Sequence, residues 1–525
     1  MKIEHINNNL SISGQIAVDD IQALADIGVQ VIVCNRPDGE AIGQPLFSEI
    51  QLAADQLGVE TVLIDFAPGK ITKKMTAAFN EVLASNKKVH AFCRSGTRSK
   101  TLYQETLTMN NKNPINASGN KFDVVIIGAG SGGIATAASL RKRNKELKIV
   151  VIDPSEDHYY QPGWTMVGGG IFDAKYTHRK TQDLIPKGVS WVRNSVSSFT
   201  PADNIVTLED GSKISYQQLI VAPGLTLNWA GIDGLEEALG KNGVTSNYRY
   251  DLAPYTWKLV QEMDKGKAIF TQPPMPIKCA GAPQKALYLS ASEWFKRKKI
   301  NDINIDFYNA GGVLFGVEAY VPALMSYIKK YQANLQFSHT LTKVDGVAKK
   351  AWFKTTNADG KDETIETNFD FLHVCPPQCA PDFIRDSELS DAAGWLDVDP
   401  ATLQHTRYPN IWGVGDVLNT ANAKTMAAAR KQAPVVAQNV ANVFANQTAR
   451  VAYDGYGSCP LTVERGKIVL AEFGYGGKLL PTFPTWLNKG AKPTLLAWIL
   501  KANMLPFIYW NAMLKGREWF ASPKK

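Results

Sequence analysis

No window of the sequence approaches the roughly 20 consecutive apolar residues that a bilayer-crossing helix needs, because Lys or Arg interrupts every candidate. No membrane span is therefore expected. Cysteine is scarce, with six in 525 residues, which is not the density of a disulfide scaffold. The opening MKIEHINNNL lacks the charged-then-apolar pattern of a secretory signal. A cytoplasmic setting with reduced thiols is the expectation, and it turns the cysteines into candidates for chemistry. A strong charge of one sign is also missing. The net charge is +8, and the dense basic run Lys296, Arg297, Lys298 and Lys299 reads as a solvated helix end. With no nucleic-acid motif beside it, nucleic acid is not an expected partner. No short-period repeat is visible, and no metal site is expected. What is present is 45% hydrophobic and 20% charged residues, the balance of a globular chain. Its length calls for two or three domains.

Strand-like runs at 29–34, 60–66 and 88–92 alternate with helical stretches over 12–103, which reads as a small α/β domain. Residues 110–120, NNKNPINASGN, supply turn formers without an apolar period and read as a linker. A second α/β region restarts at 121. A later strand at 303–309, followed by AGGVLFG, suggests another nucleotide-domain-like unit inserted at about 245–370. The expected plan is a first domain over 1–109, the linker, an oxidoreductase over 121–480 and a C-terminal helical segment over 481–525.

An apolar strand at 124–127 runs into GAGSGG, in which Gly128, Gly130 and Gly133 have G-x-G-x-x-G spacing, and then into an Ala-rich helix at 134–143. The first two glycines let the backbone turn and approach a pyrophosphate; the third lets helix and strand pack closely. Asp153 ends the next strand, 20 residues after Gly133, where a carboxylate can hold the adenosine ribose. Two further segments, YQQLIVAPG ending at Gly224 and IWGVGD ending at Asp416, resemble the second and third FAD fingerprints of two-dinucleotide-domain flavoproteins. They favour FAD, with Asp416 on the ribityl chain. The second unit has no G-x-G-x-x-G after its strand, so a nicotinamide is not the expected electron donor.

Five longer motifs carry a more specific resemblance. HYYQPGWTMVGGG (158–170), PIKCAGAPQKALYLS (276–290), AGWLDVD (393–399), YDGYGSCPL (453–461) and MLPFIYWNAMLKG (504–516) resemble the mitochondrial type of sulfide:quinone oxidoreductase over about three quarters of the chain. The resemblance implies a glutathione-reductase-like α/β flavoprotein with two Rossmann-like domains. It implies that sulfide opens a redox-active cysteine pair beside FAD, that one cysteine keeps a persulfide while the other reacts at the flavin, and that two electrons reach a membrane quinone. Cys279 matches the persulfide-bearing cysteine, and the nearby Lys278 and Lys285 favour its thiolate. Lys424 and Thr425 match the segment at the flavin pyrimidine edge. The family's second redox cysteine follows the Gly-Asp of the third fingerprint, where this chain has Val417. Cys375 and then Cys379, in HVCPPQCAP, are the candidates for the missing partner, with no internal partner as the third option. Cys459 reads as packing.

In VHAFCRSGTRS a strand runs into a loop from Cys93 to Arg98 and then a helix. Converging backbone N–H groups, the helix end and the Arg98 fork all favour a thiolate at Cys93. The C-x4-R loop is shorter than the C-x5-R of tyrosine phosphatases and fits a persulfide. With SGQ (13–15) and NRPDGE (35–40), the segment resembles the phosphatase-like domain attached to sulfide-handling proteins, for which phosphatase and sulfurtransferase readings both exist. Asp65 is a weaker candidate general acid, and Cys34 reads as core.

Over 481–520, Trp486, Trp498, Ile499, Phe507, Trp510 and Trp519 are interspersed with Lys489, Lys492, Lys501 and Lys515, a pattern that suits a helix pair in a membrane headgroup zone. The expected enzyme oxidises sulfide with FAD and quinone, sits peripherally on the inner face of the cytoplasmic membrane, and passes sulfane sulfur to Cys93 or a low-molecular-weight acceptor. A homo-oligomer is left open. The alternative is a phosphatase-like N-terminal hydrolase joined to another quinone reductase or a redox sensor.

Overall fold

The computed structural model describes residues 3–6, 9–41, 43–67, 69–85, 87–110, 121–357, 359–484 and 490–523. It divides into two compact units, Met1–Asn116 and Ala117–Lys525. Of the expected linker at 110–120, Asn110 ends the helix Thr97–Asn110 and residues 111–120 lie outside the described residues, as do Trp486 and Lys489.

In the first unit, the β-branched strand Val31–Cys34 and the strand Val89–Phe92 are buried on both faces, as central parallel strands are. The sheet runs in the order Ile3–His5, Leu10–Ser13, Val89–Phe92, Val31–Cys34, Glu60–Leu63. All its pairings are parallel except that of the first two strands. Because side chains alternate along a strand, Val33 and Ala91 pack with Phe66, Phe79 and Leu102, while Ile32 and Phe92 pack with Ile16, Leu24 and Ile50. The strand Val89–Phe92 therefore ends in the middle of the sheet and delivers Cys93 to its C-terminal edge.

The second unit holds two parallel-rich sheets. In the first, Val189–Val192, Ile149–Ile152, Lys121–Ile127 and Lys213–Val221 lie side by side, and Ile411–Gly413 joins the far edge of Lys213–Val221. In the second, Val244–Thr245, Phe371–His373, Gly266–Gln272, Ile303–Asn309 and Asn334–Phe337 are all parallel. The small residues of the helix Ser131–Arg143, Gly132, Gly133 and Ala135 among them, are buried, and this helix packs on the long helix Met426–Phe444. A hairpin, Gly457–Glu464 with Lys467–Phe473, lies against the helix Ala282–Lys296.

The chain then forms a helical run, Leu495–Ile499, a wider-turned segment Leu500–Met504, and Leu505–Asn511. No described helix is long and apolar enough to cross a membrane. Ala497, Lys501, Tyr509 and Trp510 are buried, whereas Leu495, Leu496, Ile499, Met504 and Phe507 are exposed. The expectation that Lys501 and Trp510 belong to a surface set is thereby corrected. They face inward because the Tyr509 hydroxyl meets His158 Nε2 at 2.6 Å and Ser131 Oγ at 2.8 Å, which locks this side of the helix onto the protein.

Candidate active site

Three strand ends bring the glycine turns together. Ile127, Val221 and Gly413 are neighbours in register, so Gly128, Gly224 and the Gly415–Asp416 turn emerge along one edge. Gly128 (φ +99°) has backbone conformation and crowding that admit no side chain, since a Cβ would meet Ala222 O, and a Cβ on Gly133 would collide with Gly128 O. In contrast, Gly130, Gly224 and Gly415 open onto free space, as residues cradling a bound group do. Asp153 accepts N–H bonds from Ala129 (2.7 Å) and Ser155 (2.8 Å), tying its carboxylate to the glycine turn, and burial raises its pKa. Gly415 N–H donates to Gln432 Oε1 at 2.8 Å. Burial raises the pKa of Asp416 against the pull of Lys424 and Lys278. Lys424 donates to the carbonyls of Asp416 (2.8 Å) and Leu418 (2.5 Å), and burial holds it down to about 8. Thr425 caps the helix Met426–Phe444 by accepting Ala428 N–H at 3.2 Å. A dinucleotide fits this edge: a conformationally free turn, open space, a carboxylate and a helix start converge there. Among the described residues, the buried Trp164 indole N–H and Thr165 hydroxyl also have no protein partner.

Cys279 stands next to this edge, because Lys278 forms a parallel bridge with Lys424. Its backbone is left-handed (φ +86°), a conformation that costs a non-glycine residue free energy and is tolerated where surrounding structure enforces it. Here Ala282 N–H donates to Cys279 O at 2.6 Å, just before the helix Ala282–Lys296. One turn into that helix, Lys285 Nζ lies 3.3 Å from Cys279 Sγ.

The sulfur found beside Cys279 is that of Cys459, 2.9 Å away. The expectation of Cys375 or Cys379 in that place is corrected. Cys375 ends the strand Phe371–His373 in an apolar pocket with Tyr248 and Ile277, and burial pushes its thiol up to about 12. Cys379 lies in a short strand paired with Thr226–Leu227, and Arg385 Nη1 donates to it at 3.1 Å. Val417 is a buried core residue. The hydrogen bond to Cys459, with Lys285 and then Lys501, holds the Cys279 thiol below its ordinary range against the cost of burial. The same bond raises the Cys459 thiol well above it. Lys278 is not the thiolate's partner as expected: its ammonium donates to Gln161 Oε1 at 2.8 Å and lies over Trp164 and Tyr248. Lys501 takes that role. Sequence reasoning missed both Cys459 and Lys501, since 180 and 222 residues separate them from Cys279; the usable signal was a cysteine inside YDGYGSCPL in a chain with Val417.

In the first unit, Cys93 Sγ accepts Gly96 N–H at 3.2 Å. Burial works to raise its pKa, but the N–H groups of Ser99, Ser95, Arg98 and Gly96 outweigh it and the thiol is lowered. Arg98 forks onto Glu40 (2.8 and 2.6 Å) and donates to Phe66 O at 2.9 Å, while Arg36 holds the same carboxylate at 3.0 Å. Glu40 is a site residue that the sequence reading left unused. Cys34 is core, its thiol pushed up to about 11 by burial. Asp65 is exposed just past the strand Glu60–Leu63.

Residues 2–108 match the phosphatase-like domain of the beta-lactamase hydrolase-like protein family, and 122–260 match the pyridine nucleotide-disulphide oxidoreductase family. The chain is 41% identical over 405 residues to the mitochondrial sulfide:quinone oxidoreductase of Dictyostelium discoideum, and 38% identical over 397 residues to that of Mus musculus. Each match covers 76% of this chain and 87% of the relative. The solved sulfide:quinone oxidoreductase of Aquifex aeolicus shares the fold, with a TM-score of 0.62 at 21% identity over 75% of this chain and 92% of that one. The two relatives are named mitochondrial, which overturns the expected place on the cytoplasmic membrane.

Proposed function

The chain belongs to the sulfide:quinone oxidoreductase family, and from that premise we propose that Cys279 is the thiol at which sulfide is oxidised and that Cys93 receives sulfane sulfur. The protein is an FAD-dependent enzyme that oxidises sulfide and reduces quinone. FAD supplies the two-electron relay between thiol chemistry and quinone. The turn of Gly128, Gly130 and Gly133 would hold its pyrophosphate at the start of the helix Ser131–Arg143, with Asp153 at the ribose, Gly224 and Asp416 along the ribityl chain, and Lys424 and Thr425 at the pyrimidine edge. The observation that carries the reading is the Cys279 thiol held against Lys285 in a loop bridged to the Lys424 segment. A cation at that distance attracts the hydrosulfide anion and favours a thiolate.

Against a nicotinamide donor stands the loop after Ile303–Asn309. The Asn309 side chain accepts Gly311 N–H at 2.8 Å and donates to Val313 O at 2.9 Å, so a backbone N–H that a pyrophosphate would need is already taken. Anaerobic mixing with sulfide is expected to bleach the flavin, and mixing with NADH to leave it oxidised. Bleaching by NADH and not by sulfide would reverse the assignment.

For the first unit, the short C-x4-R loop and its four N–H groups favour a persulfide on Cys93. Glu40 adds to this, because a phosphate dianion reaching for Arg98 would meet a carboxylate already clamped by Arg98 and Arg36. The exposed apolar face of Leu495, Leu496, Ile499 and Phe507 supports peripheral contact with the lipid that holds quinone.

A further inference from the structure

We propose that Tyr509 is a positioning residue for FAD: reaching in from the C-terminal segment, it fixes through His158 the direction of the peptide on which the pyrophosphate would rest. The inference deepens, and rests on, the reading of the Gly128, Gly130 and Gly133 turn as the pyrophosphate site.

Three hydrogen bonds join the segment to the turn. His158 is buried, and burial pushes its pKa down to about 4, so the ring is neutral at physiological pH. In a neutral imidazole one nitrogen donates and the other accepts. Nδ1 lies 2.9 Å from Ala129 O, and a carbonyl only accepts, so Nδ1 carries the hydrogen and Nε2 is the acceptor. The Tyr509 hydroxyl, 2.6 Å from Nε2, therefore donates to His158, and the Ser131 hydroxyl, 2.8 Å from Tyr509 Oη, donates to Tyr509. Each hydrogen in the chain has one place.

The consequence lies in the turn. In a trans peptide the C=O and N–H point opposite ways. His158 draws the Ala129 carbonyl to one side, so the Gly130 N–H is aimed to the other, away from the imidazole. The N–H of Ala129 is itself held by Asp153 at 2.7 Å, which fixes the peptides on both sides of Ala129. An anion arriving here meets Gly130, where a side chain would touch nothing, and the first N–H groups of the helix Ser131–Arg143. Without the Tyr509 hydroxyl, His158 is free to adopt the other tautomer, which turns a lone pair toward Ala129 O and releases that peptide.

Tyr509 is in turn held by its own segment. Its ring packs on Tyr160 with centroids 4.8 Å apart. Gly516, at φ +64°, passes so close to the dinucleotide helix that a Cβ would lie 2.6 Å from Ala138 O. Two residues on, Glu518 accepts hydrogen bonds from Ser139 Oγ and from the Arg143 guanidinium. The C-terminal segment thus follows this helix from its first residue, Ser131, to its last, Arg143.

The test is made on the full-length holoenzyme. It reads FAD release, as the rise in flavin fluorescence when the cofactor leaves the protein in a mild chaotrope, and the His158 tautomer, by nitrogen-15 NMR of histidine-labelled protein. Tyr509→Phe keeps the ring and removes only the hydroxyl. It is expected to release FAD about tenfold faster, the effect of one lost buried hydrogen bond, and to lose the single Nδ1–H form of His158. His158→Phe should release FAD at least as fast, and adding Tyr509→Phe to it should change the rate little further, because both act through one chain. Release from Tyr509→Phe at the wild-type rate, or two effects that multiply in the double variant, would overturn the role of Tyr509. If His158→Phe does not fold, the tautomer decides: an unchanged Nδ1–H form in Tyr509→Phe overturns it equally. Gly130→Leu fills the open cradle and should leave the protein without FAD. Normal FAD binding by Gly130→Leu would overturn the reading of the turn, and the inference with it. Loss of FAD there, beside unaltered release from Tyr509→Phe, would overturn the inference alone.

Discussion

Lys285, six residues after Cys279, and Lys501, from the C-terminal helical run, serve the same sulfur, and they differ in how firmly they hold a proton. Burial lowers Lys501 to about 7, and the neighbouring charge of Lys285 adds to the effect. Lys285 is raised, because the charges of Cys279 and Cys459 outweigh its own burial. As pH rises through about 7, Lys501 therefore loses its charge while Lys285 keeps it, and the Cys279 thiolate loses one of its two cationic neighbours. Sulfide-driven flavin reduction is expected to fall on that alkaline side. In Lys501→Arg, whose guanidinium stays protonated, the fall should vanish; stopped-flow rates between pH 6 and about 9 that run parallel in both proteins would contradict this. The same site shows what a sequence can and cannot disclose. Gly128, Gly130, Gly133, Asp153 and Asp416 were legible because each lies at a fixed offset from a strand end. Cys459 and Lys501 were not, because sequence patterns carry local spacing and these residues reach Cys279 only through the packing of a hairpin and a terminal helix.

At the scale of elements, the helical run over 495–511 has two chemically distinct faces. One buries Ala497, Lys501, Tyr509 and Trp510; the other exposes Leu495, Leu496, Ile499 and Phe507. Composition alone merged these faces into a single amphipathic anchor, since Lys501 and Trp510 also suit a headgroup zone. Their separation allows a test that deletion of the segment would confound by removing Lys501 as well. Replacing Leu496, Ile499 and Phe507 together with Ser is expected to abolish sedimentation with phospholipid vesicles while leaving sulfide-driven flavin bleaching intact. Undiminished vesicle binding would show that this face is not the contact. The strand elements tell a simpler story: the three turns carrying Gly128, Gly224 and Asp416 share one sheet edge because their strands are parallel and in register, whereas in the sequence the last two were marked only by their resemblance to FAD fingerprints.

Across the whole molecule, two compact units carry two activated cysteines, Cys93 and Cys279, on one chain. Tethering raises the effective concentration of one for the other without requiring a permanent interface. Cys93→Ser is accordingly expected to keep quinone reduction and lose sulfur transfer to a low-molecular-weight acceptor, measured as thiosulfate or persulfide product. An unchanged product distribution would remove the relay.

The position of Lys501 also has a meaning in time. A chain is made from its N-terminus, and domains fold as they emerge. Cys279, Lys285 and Cys459 are all synthesised before Lys501, and Tyr509, which pins the Lys501 helix to His158 and Ser131, comes later still. Lys501 belongs to the same compact unit as both sulfurs, so that unit is complete, and the second ammonium in place, only once the terminal helix has been made.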